Sequence, residues 1–330
     1  MFADLGLQTV LGAGRRDRQR SVLYHLAMDH DLRFHVLTLP NVGWEECRDR
    51  VQLVESLGFD IVEVGDHFCD WANPPAPWFE AWTSLAAFAT VTSTIRLATC
   101  VAQIPLRNPG VLAHQAVTID HISGGRFELG LGTGITVDPS TTMIGLPNWS
   151  NAERVARFGE YVELVGMLLS QENTSYQGQY YSAQGAVMNP SSYQSPRVPV
   201  MVAALGPKMM EHAARFADIW NTMSFDAEFD AQLVEMTDRA AAMDALCTRV
   251  GRDPSSLRRS VLLFDAEARG EGGRIRYYDD HELFVKLVRQ LVAVGYTDIG
   301  VYYPSVADQM PAFERLGLEL LPMLRSEHDA

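Results

Sequence analysis

Residues 53–71 read LVESLGFDIVEVGDHFCDW. The passage leaves the apolar face of a helix at Val54 and Leu57, turns at a glycine suited to the left-handed helix cap, and enters a run, Asp60–Val64, that has the composition of a buried strand. Where that strand ends the chain crowds two acids, an imidazole and two aromatics, Asp66 to Trp71. A close echo stands at 291–299, LVAVGYTDI, where a helix again ends at a glycine and a strand starts at once. Helix, glycine and strand in this order are half of a βα repeat, and the echo implies that the repeat runs along the chain.

Working outward from that stretch, short β-branched or aliphatic runs alternate with segments of helical period from Arg33 onward. The strands fall near Phe34–Leu39, Ile61–Gly65, Ile95–Val101, Phe127–Leu131, Val200–Ala204, Ile219–Thr222, Val261–Phe264 and Ile299–Tyr302. Helices are predicted over Trp44–Leu57, Ala81–Val91, Val111–Ile122, Ala152–Leu169, Pro207–Phe216, Phe229–Val250, Glu282–Val294 and Ala307–Leu316. Eight of each is the arithmetic of an α/β fold closed into a (β/α)8 TIM barrel. An open doubly wound sheet competes, but no GxGxxG follows the first strand and six strands would leave two unplaced. One excursion breaks the rhythm between the fourth and fifth strands. Residues 132–198 contain long stretches rich in Gly, Pro, Ser, Asn and Tyr, with small hairpin strands predicted at Ser175–Tyr181 and Ala186–Met188. Such insertions commonly serve as lids or binding walls. The barrel domain is expected to occupy 33–330, with 1–32 as an N-terminal extension whose charged GRRDRQR segment reads as solvated tail rather than export signal.

Composition narrows the chemistry. The 330 residues carry a formal charge of −14, and Lys208 and Lys286 are the only lysines. That balance argues against a nucleic-acid groove or an anionic membrane surface as partner. Cys47, Cys69, Cys100 and Cys247 form no CxxC pair, so a reducing cytoplasm is expected and neither a zinc knuckle nor a disulfide framework is implied.

In a closed barrel, chemistry sits on the loops that follow the strands. Asp66 and His67 therefore lie where a substrate can approach, and an imidazole there can exchange a proton near neutral pH. After the fourth strand comes LGLGTG (129–134), whose glycines suit close approach to a planar or phosphorylated ligand. After the fifth comes AALGPK (203–208), a tight turn into a helix whose free N–H groups and lysine favour a phosphate. Together with Trp71, Trp78, Phe79 and Trp82 these strand ends suggest a flat, phosphate-bearing redox cofactor across the barrel mouth.

The segments GFDIVEVGDHF (58–68), RNPGVLAHQAVTID (107–120), SGGRFELGLGTG (123–134), ERVARFGE (153–160) and ARFAD (214–218) resemble, in order and over about Phe34 to Leu320, the bacterial luciferase-like superfamily of flavin- and deazaflavin-dependent oxidoreductases. Asp-His-Phe-x-x-Trp at 66–71 and Ala-Ala-x-Gly-Pro at 203–207 are similar to the branch that uses the 5-deazaflavin F420 rather than FMN. The resemblance implies that Asp66 holds the cofactor and His67 manages a proton beside the transferred hydride. It implies that Cys100, Val101 and Gln103 back the ring, through a non-proline cis peptide at Cys100–Val101. Gly132, Thr133 and Gly134 would then approach the ring and ribityl chain, Asp138 would contribute a polar cofactor contact, and Ala204, Leu205, Gly206, Lys208 and Met209 would line the phosphate and tail.

Two departures bear on the substrate. Sugar-phosphate dehydrogenases of this branch place a glutamate directly after Gly-Thr-Gly, where this chain has Ile135, and a lysine after the sixth strand, where the nearest equivalent is Asp226. A phosphorylated sugar is therefore not expected. Trp71, Trp78, Trp82, Ile135, Trp149 and Trp220 are candidate walls for a small apolar carbonyl, alkene or imine.

Three other readings stay open on the residues alone. One is FMN with dioxygen, a monooxygenase chemistry that a deazaflavin, lacking N5, does not readily support. Another is a metal-dependent hydrolase using His67, His114 and His121, although no HxH or HExxH occurs. The last is a non-catalytic homodimer pairing through Leu112, Ala116 and Ile119. For the favoured reading, too, the partners expected are a small molecule and a second copy of the chain, with no metal.

Overall fold

A computed structural model describes residues 30–70, 73–269 and 273–330. Residues 53–64 fold as helix, glycine turn and strand. Helix α1 (Trp44–Ser56) buries Cys47, Val51 and Val54, Gly58 takes φ of +79°, and β2 (Ile61–Val64) follows with every residue buried. Gly295, its counterpart in the echo, likewise has positive φ, +96°.

The remaining barrel strands are β1 (Arg33–Thr38), β3 (Arg96–Thr99), β5 (Phe127–Gly132), β8 (Val200–Ala203), β9 (Ile219–Thr222), β10 (Arg258–Leu262) and β11 (Asp298–Tyr302). Parallel pairing runs β3-β2-β1-β11-β10-β9-β8-β5, and the β3–β5 pair closes the ring. A two-residue strand, β4 (Ala102–Gln103), extends the β3 path alongside the end of β5. The barrel floor is a charged plug. Arg33 pairs with Glu128 at 2.7 Å and with Asp298 at 2.5 Å, Arg96 reaches Glu128 and Arg258 reaches Asp298. Above it, His35 and Glu63 meet at 2.7 Å inside the barrel, where aliphatic side chains would be usual.

Outside the strands run α2 (Ala81–Val91), α3 (Pro109–Ser123), the single turn α4 (Ser140–Met143), α5 (Asn151–Ser170), α6 (Pro207–Phe216), α7 (Phe229–Arg249), α8 (Arg276–Asp279) and α9 (His281–Val292). Side-chain caps start several of them, with Glu80 for α2, Asn108 for α3, Ser150 for α5 and Asp280 for α9. Among the described residues no helix is long and apolar enough to cross a membrane.

Three expectations change. Leu112, Ala116 and Ile119, offered as a pairing face, are at most 2% exposed and belong to the core, because α3 turns that stripe toward the barrel. The hairpin strands are β6 (Asn173–Gln177) and β7 (Ser182–Val187), displaced from their predicted positions. The Glu160 carboxylate accepts the backbone N–H groups of Gln179, Tyr180 and Tyr181 and makes their segment the turn, overriding the strand propensity of the tyrosines. The last helix does not stop at Leu316. After a 3-10 turn at Ala307–Gln309, α10 (Met310–Arg315) passes through a π segment, Leu316–Leu320, into α11 (Leu321–His328), which lets Pro322 enter without a backbone donor. The insertion is also fastened at its far end, where Asp120 accepts the N–H groups of Tyr193 and Gln194 and the Gln194 amide.

Of the expected N-terminal extension, residues 1–29 lie outside the described residues. Leu32 is buried, and His30 bonds to Ser255 and His328, so the last three residues of that segment belong to the barrel floor.

Candidate active site

β2 delivers His67 to the barrel rim with its side chain 22% exposed. Nδ1 lies 2.6 Å from Asp138 Oδ2, and the ring meets the edge of Trp78 at 5.6 Å between centroids. Gln103 sits beneath, donating through Nε2 to the Asp66 carbonyl and to Asp138 Oδ2, both at 2.8 Å. Ser140 joins the loops after β2 and β5, since its N–H donates to Asp138 Oδ1 and its hydroxyl accepts from Phe68 N–H. Burial of Asp138 opposes ionisation, but the hydrogen bonds from His67, Ser140 and Gln103 outweigh it and hold the carboxyl well below the usual carboxylate range. Asp138 is 2% exposed, so the polar contact implied for it by resemblance is made to His67.

Asp66 is also turned inward. Its carboxylate is 1% exposed, paired with Arg107 and approached by Trp82 Nε1 at 3.4 Å. Burial pushes its pKa up, with Arg107 opposing. Arg107 continues to Glu80 at 2.5 Å and lies over the Trp82 ring, so the residue next to His67 is braced from below by an arginine 41 positions away.

The glycines in and just after β5 serve a different neighbour from the one expected. A Cβ on Gly130 would sit 1.9 Å from the Thr99 carbonyl, and one on Gly132 would sit 2.3 Å from the Val101 side chain. Gly134 has φ of +69° and packs against Gln103 in the same way. These three glycines let β5 approach the Thr99–Gln103 segment, where the Cys100–Val101 peptide is cis. What faces the mouth is the resulting platform of half-buried Cys100, Val101, Thr133 and Gly134.

Beyond β8 the chain opens an anion corner. Gly206 caps α6, a Cβ built on it would meet nothing within 4 Å, and Lys208 is exposed with no ion-pair partner among the described residues. Leu205 is exposed beside them, whereas Ala204 and Met209 are buried and stand behind the corner.

The substrate side needs the larger correction. Trp220 is 0% exposed, donates to the Ala204 carbonyl at 2.9 Å and packs on Tyr296, so it cannot wall a pocket. Trp82 is buried as well, and Trp149 carries Arg157 over its ring. Trp71 lies outside the described residues. Trp78 and Ile135 do reach the rim, and the Trp78 indole nitrogen is buried with no hydrogen-bond partner. Phe225, Phe264 and Tyr302, at the ends of β9, β10 and β11, form an aromatic row with centroids 5.3 and 6.3 Å apart that the sequence reading missed. Their signal was position, since each lies at or shortly after the end of a barrel strand. A groove of about 570 Å³ between α2 and α3, lined by Val111, His114 and Gln115 among others, lies on the barrel flank and does not include His67.

The model of the luciferase-like monooxygenase family matches residues 32–281. The chain belongs to that family. Among its relatives in the family, the F420-dependent glucose-6-phosphate dehydrogenase of Beutenbergia cavernae is 30% identical over 316 residues, 83% of this chain and 91% of that one. The enzyme of the same description from Segniliparus rotundus is 36% identical over 170 residues, covering 50% of this chain and 48% of its own. The luciferase-like barrel also superimposes on the coenzyme F420-dependent tetrahydromethanopterin reductase of Methanopyrus kandleri, with a TM-score of 0.71 at 20% identity over 89% of this chain and 99% of the other. An F420-dependent secondary alcohol dehydrogenase in complex with an F420–acetone adduct gives 0.73 at 17% identity over 88% and 100%. At those identities the two structures speak for the fold, and both have the closed-barrel path described above.

Proposed function

We propose that this luciferase-like protein is an F420-dependent oxidoreductase acting on a small, uncharged, apolar substrate. The observation that carries the reading is a half-buried histidine on the rim, His67, beside a glycine-tight platform at Cys100–Val101 and Thr133–Gly134 with an open anion corner at Gly206 and Lys208. This chain's residues fit the cofactor in two respects: Cys100, Val101, Thr133 and Gly134 form a half-buried surface against which a planar ring could lie, and Gly206 with Lys208 offers a helix N-terminus and an ammonium for a phosphate. When bound there, the deazaflavin supplies or accepts a hydride. His67 gives or takes the accompanying proton, Trp78 and the platform limit water, and Lys208 orients the phosphate.

Kinship alone would favour glucose 6-phosphate, the substrate in the names of the relatives. The rim opposes it. Lys208 is needed for the cofactor, Arg107 is spent on Asp66 and Glu80, and Arg276 on Asp265 and Glu267, so a second phosphate finds no free cation among these. Exposed large apolar side chains do stand after these strands, among them Phe68 after β2, Ile135, Val137 and Met143 after β5, Leu205 after β8 and Phe225 after β9.

The test is a fluorescence titration of the protein with F420 and, separately, with FMN. Tight F420 binding with weak FMN binding is the expected result, whereas the reverse preference would make the protein a flavin enzyme. We place it in the cytoplasm as a homodimer, which would pair through the exposed side of α3 at Val111 and His114, and sedimentation checks the assembly.

A further inference from the structure

We infer that Asp138 is a positioning residue for His67, one that fixes which nitrogen of the ring carries the proton. The inference rests on the proposed function but is carried by contacts within the chain.

Asp138 Oδ2 is 2.6 Å from His67 Nδ1, while Oδ1 takes the Ser140 N–H. A carboxylate has only acceptors to offer, so the proton between Asp138 and His67 sits on Nδ1. Gln103 Nε2 also lies 3.0 Å from Nδ1, but its two hydrogens are used by the Asp66 carbonyl and by Asp138. Nδ1 therefore carries its proton and Nε2 is left bare. One nitrogen of the ring remains to exchange a proton with substrate.

Asp138 is buried, and His67 is its only ion-pair partner among the described residues. Arg154, whose charge it also feels, directs Nη1 to the Thr133 carbonyl, Nη2 to Asn148 and Nε to the Trp149 carbonyl. The Cys69 thiol is a further neighbour, and Asp138 pushes its pKa up, after burial. The pair thus carries one negative charge while the ring is neutral and none once Nε2 is protonated, so Asp138 stands as the counter-ion of the imidazolium.

The chemistry this supports is the oxidation of a neutral alcohol and its reversal. In the forward direction the O–H bond would break with its proton passing to Nε2, and the C–H bond would break with its hydrogen and electron pair leaving as a hydride, which bound F420 would accept. The C=O bond forms from the freed oxygen pair, and the carbonyl product departs. The negative pair at the rim opposes an anionic substrate, and Arg107 and Arg276 are already paired with carboxylates.

The experiment compares Asp138→Asn and Asp138→Glu with the natural protein by nitrogen-15 NMR of the His67 ring without cofactor, and by kcat and F420 affinity. The natural ring should hold its proton on Nδ1. Asp138→Asn should move a substantial fraction to Nε2 and lower kcat by roughly 10²-fold or more, with F420 affinity changed less than about two-fold, and Asp138→Glu should restore part of both. A ring protonated on Nε2 in the natural protein overturns the inference even if neither variant folds. So does a variant that weakens F420 binding ten-fold at unchanged kcat, which would make Asp138 a cofactor ligand. Failure of the natural protein to bind F420 would instead sink the function proposed above and leave the ring measurement standing.

Discussion

The two ends of the barrel treat charge in opposite ways. At the floor, Arg33, Arg96, Arg258, Glu128 and Asp298 come from five different strands and satisfy one another in a closed network. At the mouth, Lys208 has no carboxylate partner among the described residues, and the one ion-pair partner of the buried Asp138 among them is an imidazole that need not be charged. The same parallel barrel thus carries a network of permanent ions that holds strands together and a mouth where one ammonium is exposed and one carboxylate is held by hydrogen bonds. Burial alone does not separate them, because Asp298 and Asp138 are both 2% exposed. Whether the partner is a permanent cation is what separates them.

The comparison breaks most visibly at the floor. Asp298→Asn leaves Arg33 and Arg258 facing an uncharged amide and should cost about 3–5 kcal/mol in urea unfolding, with turnover per folded molecule unchanged. A loss below about 1 kcal/mol would mean that the network is ornamental. The same residue gives a pH signature. Burial opposes ionisation of Asp298, but Arg33 and Arg258 outweigh it and lower its pKa to about 2 from an ordinary 3.8. Because the folded value is depressed, the stabilisation is fully present above about pH 4 and drains away as the pH falls toward 2, which unfolding curves in that window would register.

Next in size is His67→Ala. Turnover should fall by about 10²-fold while F420 binds nearly as before, and unchanged turnover would remove the histidine from the chemistry. Smallest is Lys208→Ala, expected to weaken F420 by about ten-fold, or about 1.4 kcal/mol, with kcat at saturation unaltered. If instead stability fell and affinity held, the mouth and the floor would not differ in the way described.

Much of the barrel was legible because its signals are local. The glycines at 58 and 295 and the β-branched runs after them depend on no distant partner. The site was legible in part for the same reason, with His67 placed by its position at a strand end and the Cys100–Val101 cis peptide by resemblance. What escaped depends on direction or distance. Every residue of β9 is buried, so the run Ile219–Thr222 has no polar alternation to tell which way Trp220 points, and it points away from the mouth. Asp66 looked available until Arg107 arrived from the start of the next helix but one. Asp138 is a single acid in a polar loop, and its meaning comes from folding against a histidine 71 residues earlier. The glycines of 130–134 are conspicuous in sequence, yet their need is set by Thr99, Val101 and Gln103.

The pinning of the insertion by Glu160 and Asp120 has a practical consequence for anyone wishing to redirect this scaffold. Because the hairpin and the segment through Gln194 are fastened to α5 and α3, they are framework, and only 135–147, with its exposed Ile135, Val137, Met143 and Ile144, is free for exchange. A graft spliced inside those limits, keeping Asp138 and Ser140, would trade recognition without dismantling the scaffold that presents it.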